Sequence, residues 1–207
     1  CNPAAGTVLN AGAAQELTVT FTPTDAINFN NVTRDVTIEV TKAEPVITWD
    51  SPFSIGFGTA LSEAQLNATA DVAGTFAYTP TAGTVLNAGA AQQLSVTFTP
   101  NDTANFSSAT KDLTIEVTKV DPVITWDTPL SIGFGSALSS TQLNATANVA
   151  GMFVYTPAAG TVLNAGAAQQ LSVTFTPTDT ANFSSATKEL TIEVTKVDPV
   201  ITWDTPL

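Results

Sequence analysis

The side chains that could do chemistry here are carboxylates, amides and hydroxyls, because the 207-residue chain has 18 acids, 6 bases and no histidine. Without histidine the chain lacks the commonest general base, the usual orienting partner of a serine or cysteine nucleophile, and the commonest metal ligand. Triad chemistry is thereby excluded. Gly133 and Gly135, on either side of Phe134, lack the lysine and following helix of a phosphate loop, so they are expected to serve a bend or bulge. Notable residues also recur along the chain, whereas a catalytic site ordinarily needs unique ones. The sequence reads as non-enzymatic and without a cofactor.

Calcium is the ion these acids could hold, since it binds clusters of oxygen. Its candidate ligands are Asp121 and Asp198 in two Lys-Val-Asp-Pro segments, and Asp102 and Asp179 ahead of Phe106 and Phe183. Glu44 holds the corresponding place before Pro45, and Asp25 the one before Phe29. No dense D-x-D-x-D run accompanies them. A competing reading needs no ion: aspartate before proline favours an extended turn, and Asp179 with Asn182 can close side-chain turns onto the backbone.

Lys111 and Lys188 share strand parity with core residues, which raises an amide cross-link to asparagine. Their counterpart Arg34 cannot form that amide, so both lysines are expected to snorkel toward solvent. Asn67 and Asn144, each followed by Ala-Thr, match a glycosylation sequon; a chain so rich in Thr and Asn produces such matches by chance.

The formal charge of −12 repels phosphate backbones and anionic membranes, whose binding requires Lys and Arg to displace counterions. Nucleic acid is therefore a poor partner, and no apolar run reaches the roughly 18 residues that would insert in a membrane. The hydrophobic share of 43% is ample for packed cores, and only 12% of residues are charged, about half the usual share.

The elements that position these residues repeat. PVITWD recurs at Pro45, Pro122 and Pro199, each 77 positions after the last, and internal repetition is the first thing to read for architecture. Residues 45–121 and 122–198 align without a gap, differing at pairs such as Phe53/Leu130, Glu63/Ser140, Asp71/Asn148 and Thr75/Met152. The expected organisation is the last part of a repeat over 1–44, complete repeats over 45–121 and 122–198, and the start of another over 199–207. Both ends then fall inside a repeat, as in an excerpt of a longer chain. Cys1 stands where Tyr78 and Tyr155 stand, and is expected there as a small buried substitute.

Within each repeat the pattern is that of strands. Leu171, Val173 and Phe175 alternate with Ser172, Thr174 and Thr176, and Leu190, Ile192 and Val194 alternate with Thr191, Glu193 and Thr195, giving each strand one wet face. Phe153 and Tyr155 are expected on a core face, with Met152 and Val154 opposite, and Trp126 beside Ile124 in the core of the first strand. One helical turn is expected near Leu138–Leu143, introduced by Ser139 and Ser140. Six or seven short strands per repeat, antiparallel by their brief connections, predict an all-β fold of tandem immunoglobulin-like Greek-key β-sandwiches with a 77-residue repeat.

Val123–Trp126 (VITW), the IGFGSALSSTQLNATA run from Ile132, the FVYTPAAGTVL strand from Phe153 and the SVTFTPTDTANF corner ending at Phe183 resemble the bacterial immunoglobulin-like (Big-type) repeat domains of large secreted and cell-surface proteins. The resemblance covers the whole chain. Phe29, Phe106 and Phe183 stand where such relatives often carry tyrosine, so a hydroxyl-mediated corner bond is not expected. The resemblance implies an extracellular or cell-surface stalk, spacer or fibre body whose partners are neighbouring copies of the same repeat, a homopolymeric fibre included. The alternative is a multivalent adhesin module that binds glycan or protein ligands. Near-absent linkers, with Lys119–Pro122 passing from one last strand straight into the next first strand, predict a semi-rigid rod that advances about 25 to 40 Å per repeat.

Overall fold

The computed structural model describes residues 1–50 and 54–203. The Phe53/Leu130 difference and the last part of the 199–207 segment thus lie outside the described residues. The fold is all-β: the described residues contain strands and turns and no helix. Two compact units divide the chain, the first made of Cys1–Ser54, Ala60–Leu86 and Ala91–Ile115, the second of Ile55–Thr59, Asn87–Ala90 and Glu116–Leu207.

In the first unit, β1 (Gly12–Phe21) and β2 (Val32–Val40) form a two-stranded antiparallel sheet, and β3 (Ile47–Thr48) pairs with β5 (Thr69–Ala70). Over residues 55–118, the strands β4 (Ile55–Gly56), β6 (Gly74–Thr79), β7 (Gly89–Pro100) and β8 (Ala109–Thr118) form a sheet of order β4-β8-β7-β6. In the second unit, β9 (Ile124–Thr125) pairs with β11 (Thr146–Ala147), while β10 (Ile132–Gly133), β12 (Gly151–Thr156), β13 (Gly166–Pro177) and β14 (Ala186–Thr195) take the order β10-β14-β13-β12.

Alternation fixes which side of each strand is apolar, and here the two sheets of the second unit bury those sides against each other. Trp126, Leu143 and Ala145 from the β9–β11 side meet Leu171, Val173, Ile192 and Val194 of β13 and β14 in one core cluster. Phe153 and Tyr155 pack against that cluster while Met152 and Val154 stay exposed, as their alternation requires. Phe98 and Phe175 are fully buried, which stabilises each strand by about 1.5–3 kcal/mol per ring. The Tyr155 hydroxyl accepts the Ala145 amide at 2.8 Å, as that of Tyr78 does from Ala68, so the ring's polar end is satisfied inside the core.

Gly151 is dictated by this packing. A Cβ there would collide with the Phe175 ring and the Thr176 carbonyl, so only glycine lets the aromatic ring lie over the start of β12. Gly135 adopts φ of +94°, the left-handed turn expected of the Gly133–Gly135 segment.

Two expectations are corrected. The short edge strands are not antiparallel: Ile55 pairs with Val117 and Ile132 with Val194 in parallel. Each edge strand lies far along the chain from its partner, so no tight hairpin dictates antiparallel pairing. Cys1 is exposed rather than buried. Its surroundings explain this, since Val19, Phe21, Val36 and Ile38 of the β1–β2 sheet are exposed as well: parity gives a face, but no second layer among the described residues covers it.

The single turn expected near Leu138–Leu143 is closed by its backbone. Leu143 donates its amide to the Ser139 carbonyl at 2.9 Å, Ser139 Oγ accepts the Thr141 amide, and Gln142 Oε1 accepts the Ser139 amide at 3.1 Å. The Gln142 side chain thus supplies one half of a capping box, while the Ser139 hydroxyl holds the Thr141 amide instead of that of Gln142.

Candidate functional site

The feature that organises the most polar chemistry is a loop of type Asp-x-x-Asn-Phe that follows β1, β7 and β13. After β13 ends at Pro177, proline supplies no further ladder donor, and Asp179 takes over the local bonding. Its Oδ1 accepts the Asn182 amide at 3.2 Å and its Oδ2 accepts Asn182 Nδ2 at 2.8 Å, while the Phe183 amide closes on the Asp179 carbonyl at 3.1 Å. Asp102 with Asn105 and Asp25 with Asn28 make the same side-chain pair, each at 2.8 Å. These bonds favour the ionised form, so Asp179, Asp102 and Asp25 are all held below the ordinary aspartate value of 3.8, first of all by the asparagine side chain.

Held by its aspartate, the asparagine turns its carbonyl outward. Asn182 Oδ1 accepts the Ala88 amide at 2.8 Å, and its Nδ2 also reaches Asn87 Oδ1 at 3.4 Å. Its backbone carbonyl accepts the Val120 amide at 3.1 Å, and the Val120 carbonyl accepts the Ser184 amide at 3.2 Å. Lys119 Nζ donates to the Thr180 carbonyl at 2.7 Å, and the Phe57 and Phe183 rings meet edge to face with centroids 5.4 Å apart. Asn182 is only 7% exposed and is the buried polar residue among those described.

The arrangement occurs a second time. Asn105 Oδ1 accepts the Ala11 amide at 2.8 Å, Asn105 Nδ2 reaches Asn10 Oδ1, and Lys42 Nζ donates to the Thr103 carbonyl at 2.7 Å. The Asn105 carbonyl accepts the Ala43 amide at 2.9 Å, and Ala43 in turn accepts the Ser107 amide. Chemically this is a latch: directed donors and acceptors, all satisfied, joining segments up to 95 residues apart in sequence. No buried side-chain nitrogen or oxygen among the described residues lacks a hydrogen-bond partner.

The calcium candidates separate into two groups. Asp102 and Asp179 sit inside these loops with both carboxylate oxygens engaged by the protein, and Asp121 and Asp198 are exposed beside their prolines. Among the described residues no group of three or more acidic, histidine or cysteine side chains converges on a metal position. Lys111 and Lys188 do not reach for solvent: each is half-buried, and its Nζ donates to the carbonyl of Ile47 or Ile124, at 3.2 and 3.3 Å. That bond ties the long sheet to the first strand of the opposite one. Asn67 and Asn144 are exposed, and their side chains donate to the carbonyls of Ala64 and Thr141.

Sequence reasoning found the Asp–Asn turn and missed its outward use. The signal was present: Asn28, Asn105 and Asn182 recur three residues after an aspartate, and the pairs Asn10-Ala11 and Asn87-Ala88 recur at a fixed distance before the last two of them. The Asp71/Asn148 difference is likewise explained, because Asp71 Oδ1 accepts the Val46 amide and Asn148 Oδ1 accepts the Val123 amide; either residue supplies the acceptor.

No protein-family model matches the chain, and no curated protein matches it. Among solved structures, a Drosophila N-cadherin EC1-4 structure is similar over 80% of this chain with 15% sequence identity and a TM-score of 0.31. The chain spans about half of that structure, 52% of its length. No helix among the described residues is long and apolar enough to cross a membrane.

Proposed function

We propose that this chain is a non-enzymatic segment of an extracellular array, in which bacterial-type immunoglobulin-like Greek-key sandwiches repeat every 77 residues and serve as stalk, spacer or fibre body. The observation that carries the reading is the latch. Asn105 and Asn182 bind the Ala11 and Ala88 amides with the same distance, 2.8 Å, and each joins a strand-following loop to the segment Lys42-Ala43 or Lys119-Val120 that leads into the next PVITW. Such bonds spend their energy on restricting motion at a junction, which is useful in a spacer and of no use to turnover.

Backbone ¹⁵N relaxation of the full chain tests this. Residues 45–121 and 122–198 should tumble with one common correlation time, and the Asn182→Ala variant should let them separate into two. Independent tumbling in the unaltered chain would overturn the reading.

A further inference from the structure

The six basic residues occupy only two positions of the repeat: Arg34, Lys111 and Lys188 stand 77 residues apart, as do Lys42, Lys119 and Lys196. Lys111 and Lys188 tie the sheets together through the carbonyls of Ile47 and Ile124, and Lys42 and Lys119 close the latches through those of Thr103 and Thr180. Against these 6 bases stand 18 acids. Carboxylates are therefore left over for cations that come from elsewhere.

One such carboxylate stands over a cavity. Glu63 lines a space of about 460 Å³ together with Leu66, Phe76, Ala77, Tyr78 and Thr81. Leu66 is buried and Phe76 and Tyr78 are half-buried, so they form the floor, while Glu63, Ala77 and Thr81 are exposed at the rim. Positions 76 and 78 share a face of β6, and their rings lie 23° from parallel with centroids 6.4 Å apart. The Tyr78 hydroxyl is engaged by the Ala68 amide, which leaves the floor apolar. Among the described residues, the Glu63 carboxylate and the Thr81 hydroxyl have no hydrogen-bond partner.

The residues 77 positions on keep the floor and change the rim. Leu143, Phe153 and Tyr155 repeat Leu66, Phe76 and Tyr78, whereas Glu63, Ala77 and Thr81 become Ser140, Val154 and Ala158. Each has the same degree of exposure as its counterpart, although residues 45–121 are followed by a complete repeat and residues 122–198 are preceded by one. Access to the cavity is thus set within the repeat. The acid and the hydroxyl that accompanies it change together.

We propose that the Glu63 cavity takes a lysine side chain of a partner protein, and that the matching site at Ser140 does not select it. A lysine side chain fits both parts of the cavity. Its methylene stem covers apolar surface, here Leu66, Phe76 and Tyr78, and its ammonium, with three donors and no acceptor, meets the Glu63 carboxylate and the Thr81 hydroxyl. A bare cation would leave the floor uncovered, and an anion would face the carboxylate. The chain's own lysines hold the sheet ties and latch positions, so the donor is a different protein rather than a second copy. The net charge of −12 draws a basic partner toward the chain. This goes beyond the spacer reading and does not depend on the latch.

Backbone amide NMR titration of the full chain tests it, with N-acetyl-lysine N-methylamide as the probe. Signals of Glu63, Phe76, Tyr78 and Thr81 should move along one saturating curve, and further than those of Ser140, Phe153, Tyr155 and Ala158. Glu63→Gln should weaken the probe about two- to fivefold, the range of an exposed ion pair, and the norleucine analogue, which keeps the stem and lacks the ammonium, should bind the unaltered chain more weakly by a similar factor. Ser140→Glu combined with Ala158→Thr should carry the response to the second site. All three substituted positions are exposed, and circular dichroism establishes that the variants stay folded.

Equal binding of the norleucine analogue, or a lysine response that Glu63→Gln leaves unchanged, overturns the proposal by showing that the floor acts alone. Larger shifts with N-acetylglucosamine than with the lysine probe overturn it in favour of a glycan, and so does the absence of any shift at these residues. Each of these results leaves the relaxation test of the latch untouched, so the two readings can fail separately.

Discussion

The loops Asp25–Phe29 and Asp179–Phe183 have the same aspartate, the same asparagine and the same internal 2.8 Å bond, yet Asn28 is exposed and Asn182 is 7% exposed. The strands beneath them differ in the same way. Phe21 is 66% exposed in β1, whereas Phe98 in β7 and Phe175 in β13 are at 0%, although all three end an alternating run with Thr on both sides. Local bonding therefore forms with or without a partner, while burial waits on a second surface.

The largest test of this contrast is removal of the aromatic ring. Phe175→Ala should cost about 3–5 kcal/mol through the cavity it leaves, and Phe21→Ala should stay within about 0.5 kcal/mol as a surface change; urea unfolding followed by Trp126 fluorescence compares them. Equal costs would mean that the β1–β2 face is covered in solution.

A smaller effect is expected at the glycine that accommodates that ring. Gly151→Ala forces Phe175 from its place and should destabilise by about 1–3 kcal/mol, as overpacking does. The same denaturation experiment reads it, and an unchanged midpoint would show that the ring has room to move.

At the latch, Asn182→Ala strands the Ala88 amide without its acceptor and should cost about 1–3 kcal/mol, whereas Asn28→Ala should be nearly neutral for folding. Amide hydrogen exchange at Ala88 and Val120 is the readout, with protection lost in the first variant and kept in the second.

Acid should loosen the latch without a mutation. Asp179 is held below 3.8 in the folded chain, chiefly by the Asn182 side chain, so its contribution is fully present above that value and is lost as pH falls through the lowered one. Exchange protection at Ala88 should therefore be flat from neutral pH down to about 4 and decline only below 3.8. Loss that begins near pH 6 would point to some other group.

Much of this was legible in the sequence. Alternation at Leu171, Val173 and Phe175 gave a strand and its inner face, Gly135 marked a turn, and Asp179 with Asn182 announced a side-chain turn, because each depends on residues within a few positions of one another. Less was legible where the partner is distant. The parallel pairing of Ile132 with Val194, the bond from Lys188 to Ile124 and the reach of Asn182 to Ala88 all join residues far apart along the chain, and nothing local to either partner specifies the other.

The sequence by itself thus determined the strands, their apolar faces and the preformed Asp–Asn loops, since sterics, alternation and short-range hydrogen bonds are local properties. Only the tertiary structure decided that Cys1 and Phe21 lie bare while Phe175 is sealed, and that the asparagine of one loop is buried against Ala88 while that of another stands free. The reason is that burial and docking belong to pairs of surfaces, and a strand or loop carries the information for only one of the two.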